Sequence, residues 1–421
     1  MKEITASIIT IGDELLIGQV IDTNSAWIAQ QLNQIGIRVK RRVAVADDWG
    51  EIWQALDQEK QHADIILITG GLGPTADDIT KALLCKYFGG RMVVNEEALV
   101  NIKTIFENLK RPLIERNLLQ AEVPDNCEVI INKKGTAPGM WFTQKTSTEE
   151  KQNIFISMPG VPHEMKGMMQ DFVLPALLKQ LELHHIGHRT LLAAGIGEAF
   201  LADRLVNFEK SISPIKLAYL PSLGMVRLRL STSGKNKMET EKLLDEKFIT
   251  LQQLVKEHIV TNKDEAMQNV VAEILLQKHK TLCTAESCTG GYISHLLTSI
   301  PGSSQFYDGS FITYSYKAKE DLLGVNNKTL LQHGAVSEEV VRCMAIGALK
   351  NLKSDYTIAV SGIMGPDGGI ADKPVGTVWV AVGSKEKLIT QKFHFRFERK
   401  MNIELTAVNA LNMLSKFILE L

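Results

Sequence analysis

A serine can do acyl-transfer chemistry only where a base reaches its hydroxyl, and Thr284-Ala285-Glu286-Ser287-Cys288-Thr289-Gly290-Gly291 poses that requirement. The stretch reads as the end of a strand and the start of a helix. Ser287 then stands at the sheet edge, and the N–H groups of Thr289, Gly290 and Gly291 can hold an oxyanion or a phosphate. No G-x-S-x-G elbow is present. His295 lies about two turns along the helix and is a poor base. Better placed are Lys317 and Lys319, which with Tyr314 follow the strand Gly309–Tyr314. A desolvated lysine beside a serine runs neutral and accepts its proton. Cys288 is the rival nucleophile, since a helix start lowers a thiol pKa, and a small buried residue is its plainer role. The plainer role for Ser287 is an N-cap.

A second set lies near the N-terminus. Strand Ile65–Thr69 runs into Gly70-Gly71-Leu72-Gly73-Pro74-Thr75, and Ala76-Asp77-Asp78 opens a helix, so exposed backbone N–H groups and the helix dipole together make a phosphate cradle. It is no Walker A loop. Gly71-x-Gly73-x-x-Ala76 fits the loose dinucleotide pattern only weakly. Two carboxylates at this helix start would repel a pyrophosphate unless a divalent cation lay between them. Asp13, after the first strand, lies on the same edge of a parallel sheet, so Asp13, Asp77 and Asp78 are the candidate metal ligands, with helix capping as the alternative. Asn24 and Glu164 sit at two further polar helix starts.

The elements that position these residues alternate. Strands are expected at Ala6–Ile11, Ile37–Val45, Ile65–Thr69 and Ile154–Met158, and helices at Asn24–Asn33, Trp49–Gln58 and Asp77–Phe88, giving a parallel sheet covered on both faces. Residues 143–152 read as an exposed tip. The middle reads as a small α+β module with paired strands Lys216–Leu220 and Met225–Ser231, followed by a linker at His258–Glu265. Alternation then returns, with helix 267–278, strand Thr281–Ala285, helices 290–298 and 337–351, strands Thr357–Ser361, Val375–Val382 and Leu388–Phe397, and a closing helix 402–419. The fold class is therefore α/β, two three-layer domains joined by a small α+β module, at 1–175, 176–258 and 262–421.

With 421 residues, 45% hydrophobic and 23% charged, the chain is globular stock rather than disordered or fibrous. Lys+Arg 47 against Asp+Glu 48 gives a net charge of −1, so no whole-chain field draws it to nucleic acid or anionic membrane. Five scattered cysteines hold no C-x-x-C pair, the first residues lack a signal-peptide pattern, and no run approaches a membrane span, so a cytoplasmic location is expected.

"GDELLIGQVIDTN", "TGGLGPTADDIT" and "MPGVPHEM" resemble the N-terminal domain of the CinA family, related to molybdopterin-binding domains. That resemblance implies a metal-dependent ADP-ribose pyrophosphatase (Mg, Mn or Co) giving AMP and ribose 5-phosphate. "AESCTGG", "GSFITYSYKAK", "HGAVSEEV", "SGIMGPDGG" and "KPVGTVWVAV" resemble the C-terminal CinA domain and the free-standing PncC amidases, which convert nicotinamide mononucleotide (NMN) to nicotinate mononucleotide and ammonia. It implies Ser287 as nucleophile, Lys319 as base, Tyr314 beside them, and no cofactor for the amidase. The loop Gly362, Gly365, Pro366, Gly368 and Gly369 is expected to hold the substrate's phosphate or ribose, with a tight turn as its alternative. Two departures stand out: Met364 replaces a small residue, and Phe397–Ile403 keeps Arg399 but loses a glycine and a second arginine of the family pattern.

"GIGEAFLADRL" and "LAYLPSLGMVRLRL" resemble the KH-like module of full-length CinA. Residues 176–258 have no G-x-x-G loop and carry twelve Lys+Arg against nine Asp+Glu, so a spacer or dimerisation role is expected and nucleic acid is not. A homodimer is what the family implies. Three alternatives remain: an amidase whose N-terminal domain only binds a nucleotide or pterin, a DNA-associated competence protein, and a dehydrogenase.

Overall fold

The computed structural model describes residues 3–75, 78–145, 152–222 and 224–420. The chain divides into two compact units, Met1–Gly187 with Thr232–Leu243, and His188–Ser231 with Leu244–Leu421.

In the first unit, β1 (Thr5–Ile11), β2 (Arg38–Val45) and β3 (Ile65–Thr69) are parallel, with β1 between the other two. The short β4 (Met92–Val94) and β5 (Glu122–Pro124) form a separate antiparallel pair. β6 (Glu128–Ile130), β7 (Gly139–Lys145) and β8 (Gln152–Met158) complete a six-stranded sheet in the order β2-β1-β3-β8-β7-β6. β8 runs parallel to β3, while β7 and β6 are antiparallel, so the expected parallel sheet is in fact mixed. The β7–β8 pairing reaches Lys145 and Gln152, and the rest of the expected tip lies outside the described residues. β1 and β3 are buried along their whole lengths because apolar cores cover both faces. Helices Thr23–Gln34 and Pro162–Met168 serve one face, and Trp49–His62 and Thr80–Tyr87 the other.

One expected helix start is corrected here. The helix after the glycine loop begins at Thr80, and Asp78 stands outside it. Asp77 lies outside the described residues.

In the second unit, β10 (Lys216–Ser222) and β11 (Met225–Gly234) pair antiparallel as expected, within a sheet ordered β10-β11-β9-β12, where β9 is His185–Ala194 and β12 is Ile259–Thr261. Part of the expected linker at 258–265 is thus a strand, held by pairing of Ile259 with Ala193.

The C-terminal sheet runs β14-β13-β15-β16-β17, with β13 (Leu282–Glu286) between β14 (Tyr307–Ile312) and β15 (Tyr356–Gly362) and parallel to both. β16 (Thr377–Gly383) and β17 (Leu388–His394) are antiparallel additions, the second joined to the first by a short connection. Helices Met267–Lys278, Tyr292–Thr298 and Arg399–Leu419 cover one face, Tyr316–Leu323 and Glu338–Leu352 the other. Among the described residues no helix is long and apolar enough to cross a membrane.

Candidate functional site

β13 is buried throughout, with Thr284 its one polar residue before Glu286, which places Glu286 and Ser287 at its C-terminal end. Ser287 is held there by its N–H donating to Val360 O on β15 at 3.1 Å, and its carbonyl accepts from Gly290 N–H at 3.2 Å. Gly291 has φ +97° and a Cβ there would lie 2.9 Å from Ile312, so this turn needs glycine.

Lys319 was expected after a strand end; it lies instead in the helix Tyr316–Leu323, capped by Ser315, which accepts from Ala318 N–H. The helix turns its side chain inward. Lys319 is 0% exposed, and its Nζ donates to Ser287 Oγ at 2.9 Å and to Thr313 O at 2.6 Å. Burial lowers its pKa to about 8 because the ammonium has lost water, with a smaller opposing contribution from Cys288. Lys317 is exposed. Cys288 is buried among the core side chains, and burial pushes its thiol up to about 12. This is the reverse of an activated thiol.

Two expectations about this turn are corrected. Of the N–H groups assigned to an oxyanion or phosphate, that of Gly291 is taken by the Glu286 carboxylate, which also accepts from Ile293 and Ser294 N–H, and that of Gly290 is taken by Ser287 O. Thr289 also spends its hydroxyl on Glu286, at 2.7 Å, and is buried. Sequence reasoning passed over Glu286 because a glutamate at a strand end has no distinctive spacing. Tyr314 is the second case. It is 63% exposed and its hydroxyl accepts from Arg399 Nη2 at 3.0 Å; no hydrogen bond joins it to Ser287 or Lys319 among the described residues.

Arg399 opens the closing helix, three residues earlier than expected, and its Nη1 donates to Gly365 O at 2.7 Å. It therefore ties Tyr314 to the loop that carries Gly362, Gly365, Pro366, Gly368 and Gly369. Asn402, fully buried, donates to Met364 O at 3.0 Å and to Phe397 O at 2.8 Å, anchoring the same loop from below. Met364 is buried in the core.

In the N-terminal domain Gly70, Gly71, Gly73, Asp78 and Glu164 line one cleft of about 380 Å³, with Glu14 and Asp47. Gly70 has φ +119°, and a Cβ would meet Ile11 O at 2.3 Å, so β3 and β1 can converge at this edge only with glycine. Asn24 lines an adjoining cleft and donates to Gly160 O at 2.6 Å. Asp78 turns back into the loop, accepting from Gly73 N–H at 2.8 Å, Thr75 N–H at 2.9 Å and the Thr75 hydroxyl. A carboxylate thus sits where the phosphate was expected, on Gly73 and Thr75. Asp13 does not line the cleft and pairs instead with Asp47 through backbone N–H groups at 3.3 and 3.4 Å. Glu164 accepts from Asn132 at 2.6 Å. Among the described residues no three His, Cys, Asp or Glu side chains come together to hold a metal ion. Of the three expected ligands, Asp13 and Asp78 are thus engaged at different places, Asp13 with Asp47 and Asp78 with the glycine loop, and Asp77 lies outside the described residues.

Three family models match in succession: "Probable molybdopterin binding domain" over residues 7–179, "Damage-inducible protein CinA KH domain" over 188–261 and "CinA C-terminal domain" over 264–418. A CinA-like protein of Cytophaga hutchinsonii is 41% identical over 418 residues, 99% of each chain. The chain belongs to the CinA family. A CinA-like protein of Flavobacterium psychrophilum is likewise 41% identical over 99% of each chain. A CinA superfamily crystal structure from Klebsiella pneumoniae, 34% identical, covers 37% of this chain and 97% of its own, with a TM-score of 0.36. Ser287, Lys319 and Arg399 fall within the C-terminal match, and the glycine loop within the first.

Proposed function

We propose that the C-terminal domain is a serine-lysine amidase that converts NMN and water to nicotinate mononucleotide and ammonia. The observation that carries it is the buried contact of 2.9 Å between Lys319 Nζ and Ser287 Oγ. Neutral Lys319 takes the Ser287 proton as Oγ attacks the carboxamide carbon, and returns it to the departing nitrogen, which leaves as ammonia. Water then attacks the acyl-enzyme carbonyl with Lys319 again as base, and the Ser287 oxygen leaves with a proton. Arg399 and the Gly362–Gly369 loop supply the binding side for the nucleotide's phosphate and ribose. Ammonia release from NMN tests this. Wild type and Cys288→Ala turn over, while Ser287→Ala and Lys319→Ala fall by on the order of 10³-fold or more. A fully active Ser287→Ala overturns the reading.

For the N-terminal domain the proposal is cleavage of ADP-ribose to AMP and ribose 5-phosphate with Mg, Mn or Co. A second reading is a nucleotide- or pterin-binding module without turnover, and the observation behind it is the Asp78 carboxylate, which is engaged with Gly73 and Thr75 of its own loop. AMP formation with any of the three metals supports the first; saturable ADP-ribose binding with no AMP supports the second. The KH-like module is read as a spacer or dimerisation element. A dimeric mass in solution and no DNA binding at low salt are expected.

A further inference from the structure

Glu286, the residue before Ser287, is 0% exposed, and among the described residues no Lys, Arg or His is ion-paired with it. Its Oε2 accepts from the Thr289 hydroxyl at 2.7 Å and from Gly291 and Ile293 N–H at 3.1 Å each. Its Oε1 accepts from Ser294 N–H at 2.8 Å, the Ser294 hydroxyl at 2.7 Å and, at 3.4 Å, the Thr284 hydroxyl. Ser294 and Thr284 also reach Tyr307 Oη, at 2.7 and 2.8 Å, which fixes the carboxylate from behind. Burying a carboxylate without a cation is expensive, and a helix that needs only a cap can take an exposed Ser or Asp.

The main chain of Glu286 points to what this arrangement secures. Its carbonyl accepts from Thr313 N–H at 2.8 Å, and the Thr313 carbonyl accepts from Lys319 Nζ at 2.6 Å. One residue therefore grips the turn that carries Ser287 with its side chain and the segment that carries the Lys319 contact with its backbone.

We propose that Glu286 is a positioning residue that locks the Ser287–Gly291 turn so that Ser287 Oγ stays within proton-transfer distance of Lys319. The inference rests on the serine-lysine reading above. It also gives the N–H groups of Gly291, Ile293 and Ser294 a use, which is to hold the nucleophile's own turn.

Full-length wild type, Glu286→Gln, Glu286→Asp, Thr289→Val and the core control Leu297→Val test it by three readouts. These are NMN kinetics, the melting temperature, and the rate at which a fluorophosphonate probe labels Ser287. In labelling, Oγ displaces fluoride from phosphorus and its proton passes to Lys319. Glu286→Gln places an NH₂ against N–H donors, so kcat and labelling should both fall at least tenfold with KM within twofold of wild type. Glu286→Asp should recover part of that loss, and Thr289→Val, which removes one donor and keeps the shape, should lose about threefold in both. Leu297→Val should lower the melting temperature while leaving kcat and labelling unchanged. If the Glu286 and Thr289 variants only melt earlier, as the control does, the positioning role is overturned. Should Glu286→Gln not fold, Thr289→Val and Glu286→Asp decide alone. If wild type labels but releases no ammonia, the substrate reading fails, and the labelling rates still decide the role of Glu286.

Discussion

Lys319 has lost almost all contact with water, and its hydrogen-bond partners, Ser287 Oγ and Thr313 O, are neutral. An ammonium in that place is poorly solvated, which is why its pKa falls to about 8 from an ordinary 10.5. The base is needed in its neutral form, so kcat/KM for NMN should rise with pH through a limb near 8 and level off above it; a flat profile between pH 6 and 9 would contradict this assignment. The stability consequence has the opposite owner. The unfolded chain holds this proton up to about pH 10.5 and the folded chain only up to about 8, so folded stability rises with pH between those values and is lowest, for this group, below 8. Lys319→Met should therefore abolish ammonia release and stabilise the fold at pH 7 by about 1–2 kcal/mol, the desolvation relieved less the hydrogen bonds lost at Ser287 and Thr313. Denaturant unfolding at pH 7 and pH 10 checks both statements, because the gain should shrink at pH 10. Cys288 makes the companion case. With its thiol pushed up to about 12 by burial, Cys288→Ala should keep full activity, and iodoacetamide should leave the native enzyme active.

At the scale of elements, the closing helix does more than cover the sheet. Its first turn supplies Arg399 to Gly365 O and Tyr314, and Asn402 to Met364 O and Phe397 O, so the helix start and the glycine loop form one unit. Asn402→Ala leaves the buried Met364 carbonyl without this donor and frees Phe397 O, and should raise KM for NMN about tenfold while costing about 2 kcal/mol of stability. Arg399→Met should raise KM by a similar factor with little change in melting temperature, since Arg399 is a surface residue. Equal loss of stability in both variants would mean that Arg399 is only a brace. These elements were unevenly legible. The strands β1, β3, β13 and β15 announce themselves as short apolar, β-branched runs, and the helix Met267–Lys278 falls where its apolar spacing puts it. The helix bearing Lys319 did not, because Tyr-Lys-Ala-Lys-Glu-Asp-Leu-Leu is polar for most of its length and faces inward chiefly through Lys319 and Leu323. The helix after the glycine loop was placed too early, since two aspartates resemble a capped start while Asp78 in fact satisfies the loop. Ser287 and Lys319 could be matched to a family pattern, but they are 32 positions apart in sequence and their contact depends on a fold that no local spacing encodes.

At the scale of the whole molecule, each of the two candidate sites sits at an edge of its own mixed sheet with its own cores on both faces. The chemistry expected of them differs in one property that can be manipulated without mutation. On the proposed mechanism the serine-lysine pair would need no ion, because burial makes the base and the base makes the nucleophile. The N-terminal cleft presents Glu14, Asp47, Asp78 and Glu164 to a phosphorylated ligand, and those carboxylates would oppose a pyrophosphate unless a cation came with it. Exhaustive EDTA treatment should therefore leave ammonia release from NMN within twofold of its starting value while ADP-ribose turnover is lost and returns on adding Mg, Mn or Co. Ser287→Ala should show the converse, silent with NMN and unchanged with ADP-ribose. Loss of both activities on EDTA would mean that a metal supports the C-terminal fold or site as well. Binding of ADP-ribose that EDTA does not alter, with no AMP formed under any metal, would assign the first domain to recognition and leave the chain with one catalytic centre, built on Ser287 and Lys319.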